Sequence, residues 1–276
     1  MTRPYAEVIG DPISHSKSPL IHNFWLKKLG IDAEYRACHV TPDELGDYFA
    51  RRRGDTAWRG CNVTIPHKVA ALGFIDKALE AVTVTGALNT VFRVHLDEEP
   101  GDRLAGNNTD LRGFAEPLRE SPNARSSALI LGAGGAARAV YVALAGLGYE
   151  LIEVAARDLA KAKAFLSDLG APTAASHSLY DIIPKADLLV NATSLGMTGQ
   201  PTLDIDLSQM PQGAIVYDLV YSPLETALLE RAKSMNLQVI DGLTMLIGQA
   251  DHAFRHFFGG EPPRQYDAEL RAWLSA

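Results

Sequence analysis

The chain has 276 residues, a length that predicts about two domains, each large enough to bury a core. Its composition, 47% hydrophobic and 21% charged, is typical of a soluble globular protein, and a formal charge of −7 argues against nucleic acid as the main partner. Two cysteines, Cys38 and Cys61, are too few for a disulfide framework and favour the cytoplasm. No signal peptide or membrane span is expected, because residues 1–10 lack a long apolar stretch and no run of about 18 apolar residues occurs.

Strands and helices alternate along the chain, which predicts an α/β fold with mostly parallel sheets. In the first half, Ser18 is expected to cap a helix that has Pro19 at its first position and ends at Gly30. The segment 41–44 (TPDE) supplies a capping box for a second helix, which runs to about Arg53. The other predicted elements of this half are strands at 5–10, 33–39 and 60–64 and a hairpin of 88–95 and 103–105 around the polar loop 97–102.

The second half begins with a helix from about Leu111 and a polar loop at 121–125. The predicted strands are 127–131, 151–155, 188–191, 214–219 and 238–240. The predicted helices are 136–147, 159–169, 245–258 and a terminal helix near 267–274.

A glycine-rich turn lies between the apolar strand 127–131 and the helical pattern that follows it. Gly132 permits a sharp turn, Gly134 lets the backbone approach a phosphate, and Ala137 is small enough for the helix to lie on the sheet. The order of strand, turn and helix predicts a dinucleotide site with its phosphates at a helix N-terminus. Glycines that only end a strand are the structural alternative.

The residues after the next strand bear on the choice of cofactor. Arg157 can pair with the 2′-phosphate of NADP, and Lys161 lies one helical turn further on. Asp158 could instead accept a ribose hydroxyl, as in NAD sites, or repel a phosphate. The pattern favours NADP, and the alternative is a solvated Arg–Asp pair that caps the helix beginning at Leu159.

Polar clusters follow strands at four places in the first half, namely 13–19, 62–68, 89–90 and 106–110. Their donors and acceptors suit a small hydroxylated acid better than an apolar ligand. Lys68 stands out, with Asp110 as a candidate partner, because a lysine that acts on a carbonyl oxygen needs no metal. His252 and His256 lack a third ligand, so no metal site is predicted.

Several of these segments together resemble the shikimate dehydrogenase family. On the substrate side they are SHSKSP (14–19), NVTIPHK (62–68), GALNT (86–90) and NTD (108–110). On the cofactor side they are the turn 132–137, NATSLGM (191–197) and YDLVY (217–221), and GLTMLIGQA (242–250) resembles the segment that returns to the substrate. The matches appear in family order over almost the whole chain.

The resemblance implies two α/β domains with a cleft between them. We expect an N-terminal substrate domain at 1–110, completed by returning helices at 243–276, and a Rossmann-like NADP-binding domain at 111–242. The implied reaction is the NADPH-dependent, reversible reduction of 3-dehydroshikimate to shikimate, a step of chorismate and aromatic amino acid biosynthesis. The enzyme would be a monomer or homodimer with no membrane or nucleic-acid partner.

The resemblance also implies roles for individual residues. Lys68 would carry the reacting proton, with Asp110 beside it. The substrate contacts would be Ser16, Ser18, Thr64, Asn89, Asp110, Tyr221 and Gln249. The cofactor contacts would be Gly132, Ala133, Gly134, Gly135, Ala136, Arg157, Asp158, Lys161, Leu219 and Gly242.

Two departures from the family pattern leave alternatives open. The triplet 156–158 is Ala-Arg-Asp where Asn-Arg-Thr is the familiar NADP signature, and Leu111 follows Asp110 where glycine is frequent. One alternative is an NAD-preferring quinate/shikimate dehydrogenase. Another is a non-catalytic NADP-binding sensor of the same fold, against which the presence of both Lys68 and Asp110 argues.

Overall fold

The computed structural model describes residues 2–95, 102–119, 126–171, 175–176 and 186–275. The chain divides into two compact units: unit 1 is Met1–Thr109 with Gln249–Ala276, and unit 2 is Asp110–Gly248. The domain limits given above remain a prediction. Most of the expected loop 97–102 and all of the expected loop 121–125 lie outside the described residues. Within the described ranges, no helix is both long enough and apolar enough to cross a bilayer.

Unit 1 contains a mixed sheet of six strands. They are β1 (Tyr5–Gly10), β2 (Glu34–His39), β3 (Trp58–Val63), β4 (Lys77–Ala78), β5 (Thr90–His95) and β6 (Asp102–Asn107). Their order is β2-β1-β3-β5-β6-β4. β1 runs parallel to β2 and β3, whereas β5 is antiparallel to β3 and β6, which confirms the predicted hairpin.

The helices of unit 1 test the capping predictions. They are α1 (Ser18–Leu29), α2 (Leu45–Arg53), α3 (Glu80–Thr85), the later part of α8 (Gly242–Phe258) and α9 (Asp267–Ser275). α1 ends at Gly30, whose φ of +66° is left-handed, as predicted. Ser18 as the cap is wrong: Lys17 holds the N-cap position, and the N–H of Ser18 itself donates to Ser16 Oγ (3.3 Å). The capping box at 41–44 is present and leads through a short 3₁₀ turn into α2.

Unit 2 is built on a parallel sheet. Its strands are β7 (Ser127–Leu131), β8 (Leu151–Ala155), β9 (Ala175–Ser176), β10 (Leu188–Asn191), β11 (Ile215–Asp218) and β12 (Gln238–Ile240). Their order is β12-β11-β10-β7-β8-β9. Its helices are α4 (Asp110–Arg119), α5 (Gly135–Leu147), α6 (Leu159–Asp168), α7 (Ala227–Ser234) and the first residues of α8.

Both faces of this sheet are covered, as a parallel sheet requires. Ala128 and Ile130 of β7 pack into a core with residues of α4, α5 and α6. Leu129 and Leu131 point the other way, into a second core with α7. The predicted α/β class with a Rossmann-like second half is confirmed, and the carboxyl ends of β7, β8, β10 and β11 carry the cofactor-side segments.

Candidate active site

A buried cluster of amide and hydroxyl side chains lies where β3 and β5 pair in unit 1. At its centre, Asn89 Nδ2 donates to Thr109 Oγ1 (2.9 Å) and Gln249 Oε1 (3.3 Å), while Asn89 Oδ1 accepts from the Thr109 N–H (2.8 Å). Asn62 Nδ2 donates to the Asn89 carbonyl oxygen (3.1 Å). None of these four side chains is more than 7% exposed. Asn89 and Gln249, both predicted substrate contacts, are therefore held together in a fixed polar group, and we call these four residues the amide cluster.

The segment that carries Lys68 is anchored beside the amide cluster. The Leu88 N–H donates to the Lys68 carbonyl oxygen (2.8 Å), and Leu88 directly precedes Asn89. Thr64 is held to β1 by a backbone hydrogen bond (2.9 Å), and both Thr64 and Lys68 are half-buried. The backbone of Lys68, the predicted proton carrier, is therefore fixed next to the polar groups that would bind a substrate.

Ser16 and Ser18 lie at the start of α1. The bond between the Ser18 N–H and Ser16 Oγ brings them together, with Ser18 buried and Ser16 half-buried. Lys17 Nζ donates to the Leu274 carbonyl oxygen (2.6 Å), which ties this segment to α9. Their contact with a substrate carboxylate stays a prediction.

Two predicted substrate residues belong to unit 2. Asp110 is the first residue of α4 and is buried. Tyr221 follows β11 and is half-buried, and this burial raises the pKa of its hydroxyl. The pairing of Lys68 with Asp110 stays a prediction.

The glycine turn of unit 2 has the local geometry of a phosphate cradle. Gly132 has a φ of +111°, which favours glycine, and a Cβ placed there would lie 3.0 Å from the Ala192 carbonyl oxygen. Gly134 is the N-cap of α5 and offers no side chain to the first N–H groups of the helix. A Cβ on Gly134 would meet nothing within 4 Å, so the space in front of the helix is open.

Arg157, Asp158 and Lys161 follow β8 and are all exposed. Asp158 is the N-cap of α6, and its Oδ1 accepts from the Lys161 N–H (3.0 Å). The alternative that Asp158 caps the helix is therefore correct. Its carboxylate also places a negative charge next to Arg157 in the sequence. The cofactor roles of Arg157, Asp158 and Lys161 stay a prediction.

Leu219 and Gly242, the residues predicted near a nicotinamide, lie against each other. A Cβ on Gly242 would be 2.4 Å from the Leu219 carbonyl oxygen and 2.6 Å from the carbonyl oxygen of Val220. Only glycine permits α8 to begin this close to the strand-end loop. The Leu219 N–H donates to the Asn191 carbonyl oxygen (3.1 Å), which joins the loop to β10.

Sequence reasoning missed the polar residues that end β10 and β11. Asn191 and Asp218 are fully buried and hydrogen-bonded to each other, although both lie in segments that matched the family. A buried strand that ends on an isolated polar residue is the signal that would have found them. Among the described residues, no group of three or more His, Cys, Asp or Glu is arranged to hold a metal.

Comparison with known proteins places the chain in a family. Residues 8–91 match the shikimate dehydrogenase substrate binding domain, and residues 118–198 match shikimate/quinate 5-dehydrogenase. Over 273 residues the chain is 50% identical to the shikimate dehydrogenase (NADP(+)) of Sphingopyxis alaskensis, covering 99% of this chain and 97% of that protein. The chain belongs to the shikimate dehydrogenase family. The family resemblance seen in the sequence is confirmed.

Solved structures of the shikimate dehydrogenase family and its relatives have the same fold. The shikimate 5-dehydrogenase of Thermus thermophilus, in complex with NADP(H) and shikimate, is 35% identical with a TM-score of 0.83 and covers 98% of this chain and 99% of its own. The quinate dehydrogenase of Corynebacterium glutamicum, in complex with NAD, is 29% identical with a TM-score of 0.86 and the same coverage.

A dinucleotide fits the residues present in unit 2 of this family member. The open space at Gly134, the left-handed Gly132 and the N–H groups at the start of α5 are compatible with a bound pyrophosphate, whose binding here stays a prediction. Arg157, just beyond β8, is exposed, and a guanidinium can form two parallel hydrogen bonds to a phosphate.

Proposed function

We propose that this chain is an NADP-dependent shikimate dehydrogenase, which reduces 3-dehydroshikimate to shikimate with NADPH in a reversible reaction. The observation that carries the proposal is the amide cluster, buried and mutually hydrogen-bonded beside the anchored Lys68 segment. Such a rigid set of donors and acceptors suits a ring with several hydroxyl groups, because each unpaired buried polar group would cost about 1–3 kcal/mol when the wrong ligand binds.

The chemistry divides between the cofactor and Lys68. NADPH, when bound, supplies a hydride to the carbonyl carbon of the substrate. The Lys68 ammonium donates a proton to the carbonyl oxygen as negative charge develops there, so the ketone becomes a hydroxyl and Lys68 becomes neutral. In the oxidative direction the neutral Lys68 amine accepts the hydroxyl proton. We assign Asp110 as the acidic partner of this lysine.

The remaining roles follow the position of each residue. Asn89, Gln249, Thr64 and Tyr221 are assigned to the ring and its reacting oxygen, and Ser16 with Ser18 to the carboxylate. The N–H groups of 132–136 are assigned to the pyrophosphate and Arg157 to the 2′-phosphate, with Lys161 one turn further along. Leu219 and Gly242 are assigned to the nicotinamide.

A four-way activity assay tests the proposal. The purified chain is given shikimate or quinate, each with NADP⁺ or NAD⁺, and kcat/KM is measured from the absorbance of the reduced nicotinamide. We expect shikimate with NADP⁺ to give the highest value. Absence of turnover with shikimate and either cofactor, together with retained NADP⁺ binding, would instead identify a non-catalytic sensor.

A second candidate, an NAD-preferring quinate/shikimate dehydrogenase, is favoured by one observation, the Asp158 carboxylate at the end of β8. Arg157→Ala distinguishes the two, with Lys163→Ala, an exposed lysine on α6, as the control of equal charge change. If Arg157 pairs with the 2′-phosphate, only Arg157→Ala weakens binding of adenosine 2′,5′-bisphosphate, by at least about tenfold. Unchanged binding in both variants would reject the assignment of Arg157.

A further inference from the structure

The ends of β10 and β11 are joined by a buried carboxylate. Asn191 and Asp218 are neighbours in the parallel register, and both are 0% exposed. Asp218 Oδ1 accepts from Asn191 Nδ2 (2.8 Å) and from the Val220 N–H (3.0 Å), and Oδ2 accepts from the Thr226 hydroxyl (2.6 Å). Three donors therefore point at one carboxylate from three different segments of unit 2.

The side chain of Asn191 also holds the loop after β10. Its Oδ1 accepts from the N–H (3.1 Å) and hydroxyl (2.7 Å) of Thr193, and its Nδ2 also donates to the Leu195 carbonyl oxygen (3.1 Å). This loop contacts the glycine turn, because a Cβ on Gly132 would lie 3.1 Å from Thr193 Cγ2. The side chain of Asn191 thus fixes the conformation of residues 191–195, which lie beside the glycine turn.

The loop after β11 is held from two sides. Asp218 binds the Val220 N–H, and the start of α8 at Gly242 lies against the carbonyl oxygens of Leu219 and Val220. The Leu219 N–H donates to the Asn191 carbonyl oxygen. The peptide units on both sides of Leu219 are therefore fixed, as is the chain that enters Tyr221.

Because Asp218 is buried, the hydrogen bonds to its carboxylate are costly to break. Desolvation raises the pKa of Asp218, while its hydrogen bonds from Thr226, Val220 and Asn191 lower it. A buried carboxylate is tolerated only when its oxygens are paired, so an alternative arrangement that broke one of these bonds would cost several kcal/mol. The two loops consequently have one favoured arrangement rather than several.

We propose that Asp218 is a positioning residue for the reaction: its carboxylate fixes the loops 191–195 and 218–221 relative to each other and so places Leu219 and Tyr221 for catalysis. The proposal rests on the proposed function, since it concerns the residues assigned to the nicotinamide and the substrate. It extends that function to a side chain that touches neither ligand. A displacement of about 1 Å in such a group is enough to cost up to about a hundredfold in rate.

The test compares Asp218→Ala with Asp218→Asn and with a control, Leu228→Ala. Leu228 of α7 is buried in the core on one face of the same sheet, and its apolar side chain makes no hydrogen bond, so Leu228→Ala lowers the stability of unit 2 without removing a donor or an acceptor from the network. Each variant is assayed well below its own unfolding temperature. The readouts are kcat and KM for shikimate and NADP⁺, and the affinity for adenosine 2′,5′-bisphosphate.

We expect Asp218→Ala to lower kcat at least about tenfold, or about 1.4 kcal/mol, with the bisphosphate affinity within about twofold of wild type. Asp218→Asn, which keeps an oxygen towards Asn191 and Val220, should recover most of that loss. Leu228→Ala should keep kcat within about twofold. If Asp218→Ala does not fold, Asn191→Ala carries the same expectation.

Two results would overturn the proposal. One is an Asp218→Ala enzyme whose kcat stays within about threefold of wild type, and the other is an equal fall of kcat in the control Leu228→Ala. Failure of the proposed function is a separate outcome, because the wild-type chain would then show no turnover with shikimate under any condition.

Discussion

The fold contains a histidine that should make stability depend on pH. His22 of α1 is 0% exposed, and neither ring nitrogen has a hydrogen-bond partner among the described residues. Its ring stacks on Tyr35, with the centroids 4.0 Å apart, and Trp25 and Phe254 lie at 5.8 and 5.9 Å. This apolar burial lowers the pKa of His22 from 6.5 to about 3.

The size and direction of the effect follow from linkage. The unfolded chain binds a proton at His22 below pH 6.5, whereas the folded chain does so only near pH 3. The stabilisation is therefore complete above pH 6.5 and is lost as the pH falls from 6.5 towards 3. At about pH 5, where about 97% of the unfolded-state imidazole is protonated, the free energy of unfolding should be lower by about 2 kcal/mol.

Urea unfolding at about pH 8 and about pH 5, followed by circular dichroism, measures this difference. His22→Phe keeps an aromatic ring in the cluster and removes the titration, so its loss of stability between the two pH values should be smaller than that of wild type by about 2 kcal/mol. Trp25→Phe perturbs the same cluster but keeps His22, and should retain the wild-type difference. An unchanged pH dependence in His22→Phe would refute the reasoning.

Three further substitutions test separate contacts in unit 2. Gly242→Ala places a Cβ 2.4 Å from the Leu219 carbonyl oxygen, so urea unfolding should show a free energy of unfolding lower by about 1–3 kcal/mol. An unchanged free energy of unfolding would contradict this close approach. Tyr217→Phe removes a buried hydroxyl that has no partner among the described residues, so stability should be unchanged or higher, and a loss above about 1 kcal/mol would reveal a partner. Asp158→Ser keeps an N-cap for α6 and removes a charge beside Arg157, so NADP⁺ should bind a few-fold more tightly in calorimetry. Equal or weaker binding would show that Asp158 does not oppose the phosphate.

Local sequence signals predicted the elements of the fold well. Apolar runs predicted the strands at 127–131 and 151–155, and a glycine predicted the end of α1 at Gly30. These local signals do not depend on contacts with distant parts of the chain. α1 begins one residue earlier than predicted, so Lys17 rather than Ser18 holds the N-cap position and Pro19 is the second residue of the helix.

The hydrogen bonds between polar side chains of the site could not be predicted from the sequence. The segments carrying Asn89, Gln249 and Asp218 were found, but the bond between Asn89 and Gln249 joins residues 160 positions apart, and that between Asn191 and Asp218 joins residues 27 apart. Such pairings depend on strand order and register, which a single sequence does not specify. His22 was missed for the same reason, since its aromatic neighbours come from β2 and α8.

The rate of 3-dehydroshikimate reduction by Lys68→Ala tests the central claim most directly. Lys77→Ala, an exposed lysine on β4 of the same unit, serves as the matched control. We predict that kcat with NADPH falls by far more than about tenfold in Lys68→Ala, while calorimetric affinity for shikimate changes little and Lys77→Ala resembles wild type. A kcat for Lys68→Ala within about tenfold of wild type, or about 1.4 kcal/mol, would contradict the assignment of Lys68 as proton carrier.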